Sequence, residues 1–381
     1  MPNPLSGLTP ALQAICDQGK VLPATGQALI DLLGPDQDET FDRLLTDADE
    51  KKKPVEAVLE PPPWKLYHSL DHLPRPIDHV FRYFLDGSAR TYFLGTVVER
   101  ERSSPVQFAQ VGAAAVRREN DGRIAKAGAE RRLILMLSQD HVSAELWAAV
   151  ETQVQAIPEL TLRNSGEKDQ VTDGVQVAEP RFRGAHKANW FMREAELDLA
   201  QALLEKLPEG AWLVLDGGLG KDIIKWPRLK DWEHPPLIGV GKSFSKEPSF
   251  KVGGGPGGKI LNLYELLAKL DFGCRTVTFG AEGGKKAFWY VRLRPQRELD
   301  YPLMGVIKVE MPNPRGEAIP TELINRLSGA LLAERNVTPH GRDSRWHAHL
   351  YPIAVAERVV KGLFYTEEVL RAAISWPTIR S

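Results

Sequence analysis

The stretch Phe81-Arg82-Tyr83-Phe84-Leu85-Asp86-Gly87-Ser88 is a hydrophobic run that ends in an aspartate followed by glycine. A second run of the same kind is Ala211-Trp212-Leu213-Val214-Leu215-Asp216-Gly217-Gly218-Leu219. Each run predicts a buried strand that delivers a carboxylate to a sheet edge, where the glycine opens a turn. A single Asp-Gly often does no more than end a strand, but two such carboxylates side by side would make a place for a divalent cation.

The composition predicts a folded protein without a strong overall charge. The 381 residues include 49 basic and 50 acidic residues, and 43% are hydrophobic, so any nucleic-acid site must be a local patch or channel. Cys16 and Cys274 are far apart, which argues against both a thiolate zinc site and a disulfide framework. No signal peptide and no apolar stretch of the ~18 residues needed for a membrane span are found, so we expect a cytoplasmic protein with no membrane partner.

The chain is predicted to have three parts. Residues 1–60 show apolar residues at helical spacing and are interpreted as an N-terminal helical extension. Residues 61–77 begin with consecutive prolines and are interpreted as a linker. In 78–381 strands come first and then alternate with helices, which indicates an α/β domain with a mixed sheet flanked by helices. The extension could be a packing appendage, a docking element or a dimerisation arm.

Two predicted helices each carry an acid on an apolar stripe. Glu196 shares a helix face with Met192, Leu199, Ala200 and Leu203. A buried carboxylate at that position needs a cation or a basic partner, unless it lies at the edge of the stripe and is solvated. Near the C-terminus, Glu357 shares a helix face with Ile353, Val360 and Phe364.

The segment before that last helix contains alternating polar side chains. His347, His349 and Tyr351 would share one face if the segment were a strand, and His-x-His can bind a transition metal. Alternate histidines in a strand are also commonly residues without a metal-binding role.

The four acids just described define the predicted chemistry. Three or four converging carboxylates would hold two divalent cations, which can activate a water and stabilise the leaving oxygen of a phosphodiester. This is the chemistry of the RNase H-like fold class. The four are Asp86, Glu196, Asp216 and Glu357.

Basic residues near these strands, together with Tyr351, are candidates for binding nucleic acid. Lys242 lies in a Gly-x-Gly-Lys-Ser segment, but Pro236 stands where a phosphate loop needs glycine, so a P-loop ATPase is rejected. Lys242 could still contact a phosphate, or it could be an exposed loop lysine. Arg117 and Arg118 begin a basic stretch, 117–132, which could line a DNA channel or form a solvated face.

These pieces, taken in order over about residues 78–375, resemble the NurA family of nucleases, which accompany the HerA hexameric ATPase in DNA end processing. The matching segments are Asp86-Gly87-Ser88, the helix at 193–200, the strand ending at Asp216, the segment 239–243 and the segment 349–357. The resemblance implies a manganese- or magnesium-dependent DNase with an RNase H-like fold. It also implies a homodimer with a central channel for DNA fed by a HerA-like ATPase.

The resemblance makes Asp86, Glu196 and Asp216 the acidic core, and it leaves the last ligand open. The family's final motif resembles Tyr-Pro, a leucine and then Ala-His. In one alignment, His349 takes the place of the motif's tyrosine and Glu357 takes the place of its histidine. In the other, Tyr351-Pro352 aligns directly with Tyr-Pro and the last ligand position shifts. A catalytically inactive RNase H-like protein that binds nucleic acid, or a scaffold that docks an ATPase, is the alternative.

Overall fold

A computed structural model describes most of the chain. The described residues are 5, 8–24, 30–31, 54–71, 79–166, 180–252, 258–297, 300–337, 346–374 and 376–377. Residues 1–4, 6–7, 25–29 and 32–53 of the predicted helical extension and residues 72–77 of the predicted linker lie outside them.

The described residues contain strands and helices in mixed order. The strands are β1 Lys20–Pro23, β2 Ile30–Asp31, β3 Tyr67–Ser69, β4 Phe81–Glu99, β5 Arg102–Arg118, β6 Ile124–Leu137, β7 Leu160–Asn164, β8 Trp212–Asp216, β9 Leu237–Gly241, β10 Ser249–Val252, β11 Lys259–Asn262, β12 Cys274–Thr276, β13 Phe279–Ala281, β14 Lys286–Arg292 and β15 Val306–Pro312. The helices are α1 Leu8–Gln18, α2 Ala144–Gln155, α3 Pro180–Leu204, α4 Lys221–Ile224, α5 Leu263–Ala268, α6 Thr321–Glu334, α7 Tyr351–Lys361 and α8 Glu367–Ala373.

Thirteen of these strands form one mixed sheet. Its order is β3-β12-β14-β15-β9-β8-β4-β5-β6-β7, with β1 and β2 also paired to β4 and β13 paired to β14. Strands β4, β5 and β6 are antiparallel neighbours, whereas β8 is parallel to β4, and β9 is parallel to β8. The predicted α/β class with a mixed sheet flanked by helices is therefore confirmed.

The first Asp-Gly does not end a strand, and in this respect the prediction was wrong. Strand β4 continues through Asp86 and Gly87 to Glu99. Its partner is β5, which stays in register with Asp86 opposite Ala114 and Gly87 opposite Ala113. Pairing with β5 continues on both sides of Gly87, and this pairing keeps the strand in the sheet. The second Asp-Gly does end its strand, because Gly217 has φ of 84°.

Helices cover both faces of the sheet. Ala115 of β5 packs in a core cluster with Ala200 and Leu203 of α3. The adjacent Ala114 packs with Val360 of α7. Since neighbouring residues of a strand point to opposite faces, α3 and α7 lie on opposite sides of the central strands.

The N-terminal residues and the predicted linker both contribute to this architecture. Helix α1 is buried against the sheet through Leu8, Leu12 and Ile15, which share a core cluster with residues of β4, β5 and β6. Within the segment predicted as a linker, β3 pairs with β12. Its three residues are too few to show a strand pattern in the sequence.

Just before that segment, Glu60 lies in a buried ion pair. Glu60 Oε1 is 2.6 Å from Nη1 of Arg275, and neither side chain is exposed to solvent. Glu60 also accepts a hydrogen bond from the hydroxyl of Thr321 at 2.9 Å. Residues before the predicted linker thus reach the interior of the sheet domain.

None of the helices in the described ranges is both long and apolar enough to cross a membrane.

Candidate active site

The site lies at a gap along one edge of β4. Strand β8 pairs with 81–85 of that edge, and β2 and β1 pair with 91–98. Between these pairings lie Asp86 and Gly87, beside the point where β8 ends at Asp216. Phe84 and Val214 pack in one core cluster with residues of α7, so they point to the sheet face that α7 covers. Asp86 and Asp216 each lie two residues further along their strands and therefore point to the same face.

Glu196 approaches the gap from α3, on the other face of the sheet. It is 5% exposed, so the inward orientation predicted from the apolar stripe is confirmed. Its Oε2 accepts a hydrogen bond from Nη1 of Arg193 at 3.0 Å, and its carboxylate also accepts one from the backbone N–H of Gly87. Arg193 is therefore the basic partner that a buried carboxylate requires.

Gly87 makes this approach possible. A Cβ at that position would lie 2.6 Å from Oε1 of Glu196 and 2.9 Å from its carboxyl carbon. Because Gly87 has no side chain, the carboxylate of Glu196 can extend past β4 at this residue toward the end of β8.

Helix α7 supplies the fourth acid. Glu357 forms an ion pair with Lys361 one turn later. Burial acts to raise its pKa, but Lys361, Lys242 and His349 outweigh that effect, and the pKa of Glu357 is lowered. His349 is 4% exposed and precedes the helix, close enough for its charge to act on Glu357.

Lys242 is the cation at the centre of the site. It follows β9, and its Nζ lies 2.7 Å from Oδ2 of Asp216. Its charge also acts on Asp86 and Glu357. Lys242 is 11% exposed and Asp216 is 18% exposed, so this ion pair is largely shielded from solvent.

The electrostatics identify these four acids as one group, which we name the acid cluster: Asp86, Glu196, Asp216 and Glu357. Burial, then the negative charge of Asp216, and then those of Glu196 and Glu357 raise the pKa of Asp86 well above its usual value, against the opposing charge of Lys242. Burial and Asp216 also raise the pKa of Glu196, although Arg193 opposes this. Burial and the neighbouring carboxylates thus favour the protonated forms of Asp86 and Glu196.

The donor chemistry of the acid cluster fits a divalent cation, because buried, mutually repelling carboxylate oxygens are the ligands that Mg²⁺ and Mn²⁺ prefer. As the side chains stand, however, no three His, Cys, Asp or Glu residues within the described ranges are arranged to hold a metal ion together. Glu196 and Glu357 approach from opposite faces of the sheet, and Lys242 is bound to Asp216.

The other predicted nucleic-acid contacts are placed differently. Tyr351 is 50% exposed at the start of α7, on the helix that carries Glu357. Arg117 lies opposite Tyr83, toward the end of β5, and pairs with Glu119. Arg118 is 8% exposed and bound to Glu334. The structure thus brings Lys242 to the acid cluster and gives both arginines carboxylate partners elsewhere. Binding of DNA by these residues stays a prediction.

The His-x-His pattern does not form a strand face. The segment 346–348 is a short 3-10 helix, and α7 begins at Tyr351, where Pro352 favours the first turn of a helix. Nδ1 of His347 accepts a hydrogen bond from the backbone N–H of Gly305 at 3.0 Å. His347 and His349 therefore have different environments, and only His349 acts on the acid cluster.

A polar group next to the site was missed from the sequence. Glu310 on β15 is 4% exposed, and its Oε2 accepts a hydrogen bond from the backbone N–H of Leu219 at 2.7 Å. Burial acts to raise its pKa, but Lys286, Lys308 and the Leu219 N–H together lower the pKa of Glu310 to about 2. The signal was the charged pair Lys308-x-Glu310 inside an apolar strand.

No protein-family model matches the chain, and no curated protein is similar enough in sequence to count as a match. The geometry of the acid cluster is therefore the basis for inferring a function.

Proposed function

We propose that this protein is a divalent-metal-dependent DNA nuclease that hydrolyses phosphodiester bonds. The observation that carries the proposal is the convergence of four acids from β4, α3, β8 and α7 on one gap in the sheet, where three of them raise the pKa of Asp86. Arg193, Lys242 and Lys361 each pair with one of these acids, whereas burial and the other three carboxylates raise the pKa of Asp86. A divalent cation bound there would relieve this repulsion.

The topology supports an RNase H-like interpretation of the fold. Strands β4, β5 and β6 form an antiparallel meander, and β8 and β9 add in parallel on the other side of β4. This arrangement sets Asp86, within β4, beside Asp216, at the end of β8, in the middle of the sheet. Fold class alone does not imply activity, so the proposal depends on the site.

The acid cluster would hold Mn²⁺ or Mg²⁺, with two ions proposed. When bound, the ions supply Lewis-acid chemistry: they lower the pKa of a water and stabilise the leaving oxygen. Asp86 and Asp216 would be the principal ligands, and Glu196 would complete the site. Hydrogen bonds from Arg193 and from the Gly87 N–H orient the Glu196 carboxylate. Glu357 or His349 is the remaining ligand.

Lys242 has a role of its own in this proposal. In the structure it neutralises Asp216. With ions bound, its ammonium group would bind a phosphate oxygen of the DNA strand, because Lys242 follows β9 and lies beside the end of β8 at Asp216. Tyr351, exposed at the start of α7, is placed to contact the same strand.

The resemblance to NurA nucleases extends the proposal to DNA end processing in double-strand break repair. There the protein would act as a homodimer with a HerA-like hexameric ATPase that feeds DNA to it. The chain carries no P-loop of its own, which fits a nuclease that depends on a separate motor.

The test is cleavage of end-labelled single- and double-stranded DNA with Mn²⁺, with Mg²⁺ and with EDTA, with and without a HerA-like ATPase. Asp86→Asn and Asp216→Asn should each lose metal-dependent cleavage by at least about 100-fold, since each removes a principal ligand. Asp231→Asn, an exposed aspartate at the end of the segment 227–231, is a matched control outside the acid cluster. Absence of cleavage by the wild type under every condition would overturn the proposal.

The second candidate is a catalytically inactive RNase H-like protein that binds nucleic acid or docks an ATPase. The Lys242–Asp216 ion pair favours it, because a lysine that permanently neutralises the acids would replace the metal. Mn²⁺ binding separates the two candidates. Isothermal titration calorimetry should detect Mn²⁺ binding to the wild type and none to Asp86→Asn if the nuclease proposal is correct.

A further inference from the structure

An arginine lies on the same strand as Asp86, a short distance further along β4. Strand β8 pairs with β4 only as far as Leu85, and β2 pairs with it only from Thr91 onward. Within the part of the chain that the structure describes, no strand therefore covers this edge of β4 between Asp86 and Arg90. We name residues 86–90 the open edge.

Arg90 and Asp86 point to the same face of the sheet, the one that α7 covers. Successive residues of a strand point to alternate faces, so Asp86, Ser88 and Arg90 share one side. In agreement with this, Cζ of Arg90 lies 5.8 Å from the ring centroid of Phe364, which packs with Val360 of α7. At about 3.3 Å per residue, Asp86 and Arg90 are roughly 13 Å apart along the strand.

The ring that Arg90 contacts is held in place by the fold. Phe364 is buried, and the next residue, Tyr365, exchanges two hydrogen bonds with Gln110 of β5. The N–H of Tyr365 donates to Oε1 of Gln110 at 2.8 Å, and Nε2 of Gln110 donates to the carbonyl oxygen of Tyr365 at 3.0 Å. Gln110 is also the residue opposite Arg90 in the pairing of β4 with β5. The guanidinium group of Arg90 therefore contacts a fixed aromatic ring, which limits its freedom before any ligand binds.

Arg90 differs from neighbouring cations because no carboxylate neutralises it. Lys242 pairs with Asp216. Arg131, which also binds the segment after α7, pairs with Glu159. Arg90 is exposed, and among the side chains that the structure describes none forms an ion pair with it. Its charge is therefore available to an anion from solution.

An exposed arginine near the end of a helix also has a simpler explanation, since a cation there stabilises the helix dipole. Helix α7 ends at Lys361, and Phe364 follows soon after. The dipole does not require, however, that the arginine share a strand and a face with Asp86. A DNA strand that leaves the acid cluster along the open edge meets Arg90, whereas in the other direction β8 covers the edge of β4.

We propose that Arg90 binds a phosphate of the DNA strand whose scissile bond lies at the acid cluster, and that this strand follows the open edge of β4. The proposal rests on the nuclease function proposed above. A guanidinium group can bind two oxygens of one phosphate through parallel hydrogen bonds. Because the contact is made to the DNA backbone, it positions the strand and is independent of the base sequence.

The test is binding of a labelled single-stranded oligonucleotide to the full chain in EDTA, which prevents metal-dependent cleavage. Fluorescence anisotropy is measured over a series of salt concentrations. Arg90→Gln should weaken binding roughly tenfold at low salt, the effect of losing one charge-assisted contact. It should also reduce the slope of log K against log salt by about 0.7, the value for one phosphate of a single strand.

Arg100→Gln is the matched control, because it removes the same charge from an exposed arginine just beyond the far end of β4. Equal slopes and equal affinities for Arg90→Gln and Arg100→Gln would overturn the proposal. A role at the end of α7 alone would lower the unfolding midpoint of Arg90→Gln and leave the salt slope unchanged, which would also overturn it.

Arg90→Lys keeps the proposal testable if Arg90→Gln does not fold. Lysine retains the charge and lacks the planar guanidinium group, so this variant should keep the salt slope of the wild type and bind DNA severalfold more weakly. An affinity equal to that of the wild type would show that the guanidinium group makes no phosphate contact.

Failure of this proposal and failure of the nuclease proposal give different results. If the protein does not cleave DNA with any metal ion, a smaller salt slope in Arg90→Gln still supports a phosphate contact at Arg90. If the protein cleaves DNA but the strand does not follow the open edge, cleavage is lost in Asp86→Asn while Arg90→Gln binds DNA like Arg100→Gln.

Discussion

The missing side chain of Gly87 leaves the space that the carboxylate of Glu196 occupies. An added Cβ would lie 2.6 Å from Oε1 of Glu196, which is closer than such contacts occur. One strand residue without a side chain therefore determines whether an acid from the opposite face of the sheet reaches the acid cluster.

Gly87→Ala should therefore impair the site more than the fold. The new methyl group must push the Glu196 carboxylate away from the Gly87 N–H, and we expect metal-dependent cleavage to fall by at least roughly tenfold. Gly128→Ala on β6 is the control, because its Cβ would meet only the flexible end of Leu199 at 3.0 Å. Equal cleavage rates for the two variants would show that Glu196 does not need its observed position.

Asp86→Asn should stabilise the metal-free protein at neutral pH. The pKa of Asp86 is raised in the fold, so the folded state prefers the protonated form, and the stability this gives is present at low pH and lost as pH rises through the folded pKa. Asparagine does not ionise, so the Asp86→Asn variant does not lose this stability as the pH rises. In EDTA at pH 7 we expect the unfolding midpoint to rise by a few degrees, on the order of 2–4 °C per kcal/mol.

The difference between Asp86→Asn and the wild type should shrink as the pH falls toward about 3.9, the ordinary pKa of aspartate, because both proteins are then neutral at this position. Thermal unfolding across a pH series measures it. A variant less stable than the wild type at pH 7 would mean that the buried charge is fully compensated.

Lys242→Gln should lower stability in EDTA and increase the response to Mn²⁺. Lys242 neutralises Asp216 and acts on Asp86 and Glu357, so its loss leaves the acid cluster uncompensated until a cation binds. We expect Mn²⁺ to raise the unfolding midpoint more in this variant than in the wild type. Lys225→Gln is the control, because it removes the same charge from an exposed lysine outside the acid cluster. A smaller Mn²⁺ response in Lys242→Gln would contradict metal binding at the cluster.

Glu60→Ala should destabilise the whole domain. Removing one partner of a buried ion pair leaves Arg275 uncompensated, at a cost of about 3–5 kcal/mol. Glu56→Ala is the matched control: its pair with Lys251 is exposed, and such pairs contribute about 0–1 kcal/mol. Urea unfolding measures both. Similar values for the two variants would mean that residues before 61 are independent of the sheet domain.

The sequence predicted the acids better than their surroundings. Asp216 follows a short apolar run and Glu196 interrupts a helical apolar stripe, so local periodicity was enough to place both. Gly87 was interpreted as a turn because Asp-Gly usually is one. The actual reason for the glycine is a contact with α3, and a contact between residues distant in sequence leaves no local pattern.

Ion pairs between distant elements explain most of what the sequence did not predict. Arg118 was interpreted as a DNA contact because it lies in a basic stretch, but in the fold Glu334 of α6 binds it. The histidine pair was interpreted from strand alternation, and Pro352 instead begins a helix. Strand patterning shows that Lys286, Lys308 and Glu310 share a face of the sheet. It does not show that a loop covers this face, so the polar group was missed.

The parallel pairing of β4 with β8 has a consequence for synthesis and folding. The acid cluster combines Asp86 with Glu357, near the beginning and near the end of the sheet domain, so its formation requires loops of high sequence separation to close. A nascent chain on the ribosome cannot complete the site until α7 has emerged. A chain that lacks α7 would therefore hold Asp86 beside Asp216 and Glu196 but without Glu357, and on the nuclease proposal cleavage would appear only when the full domain has folded.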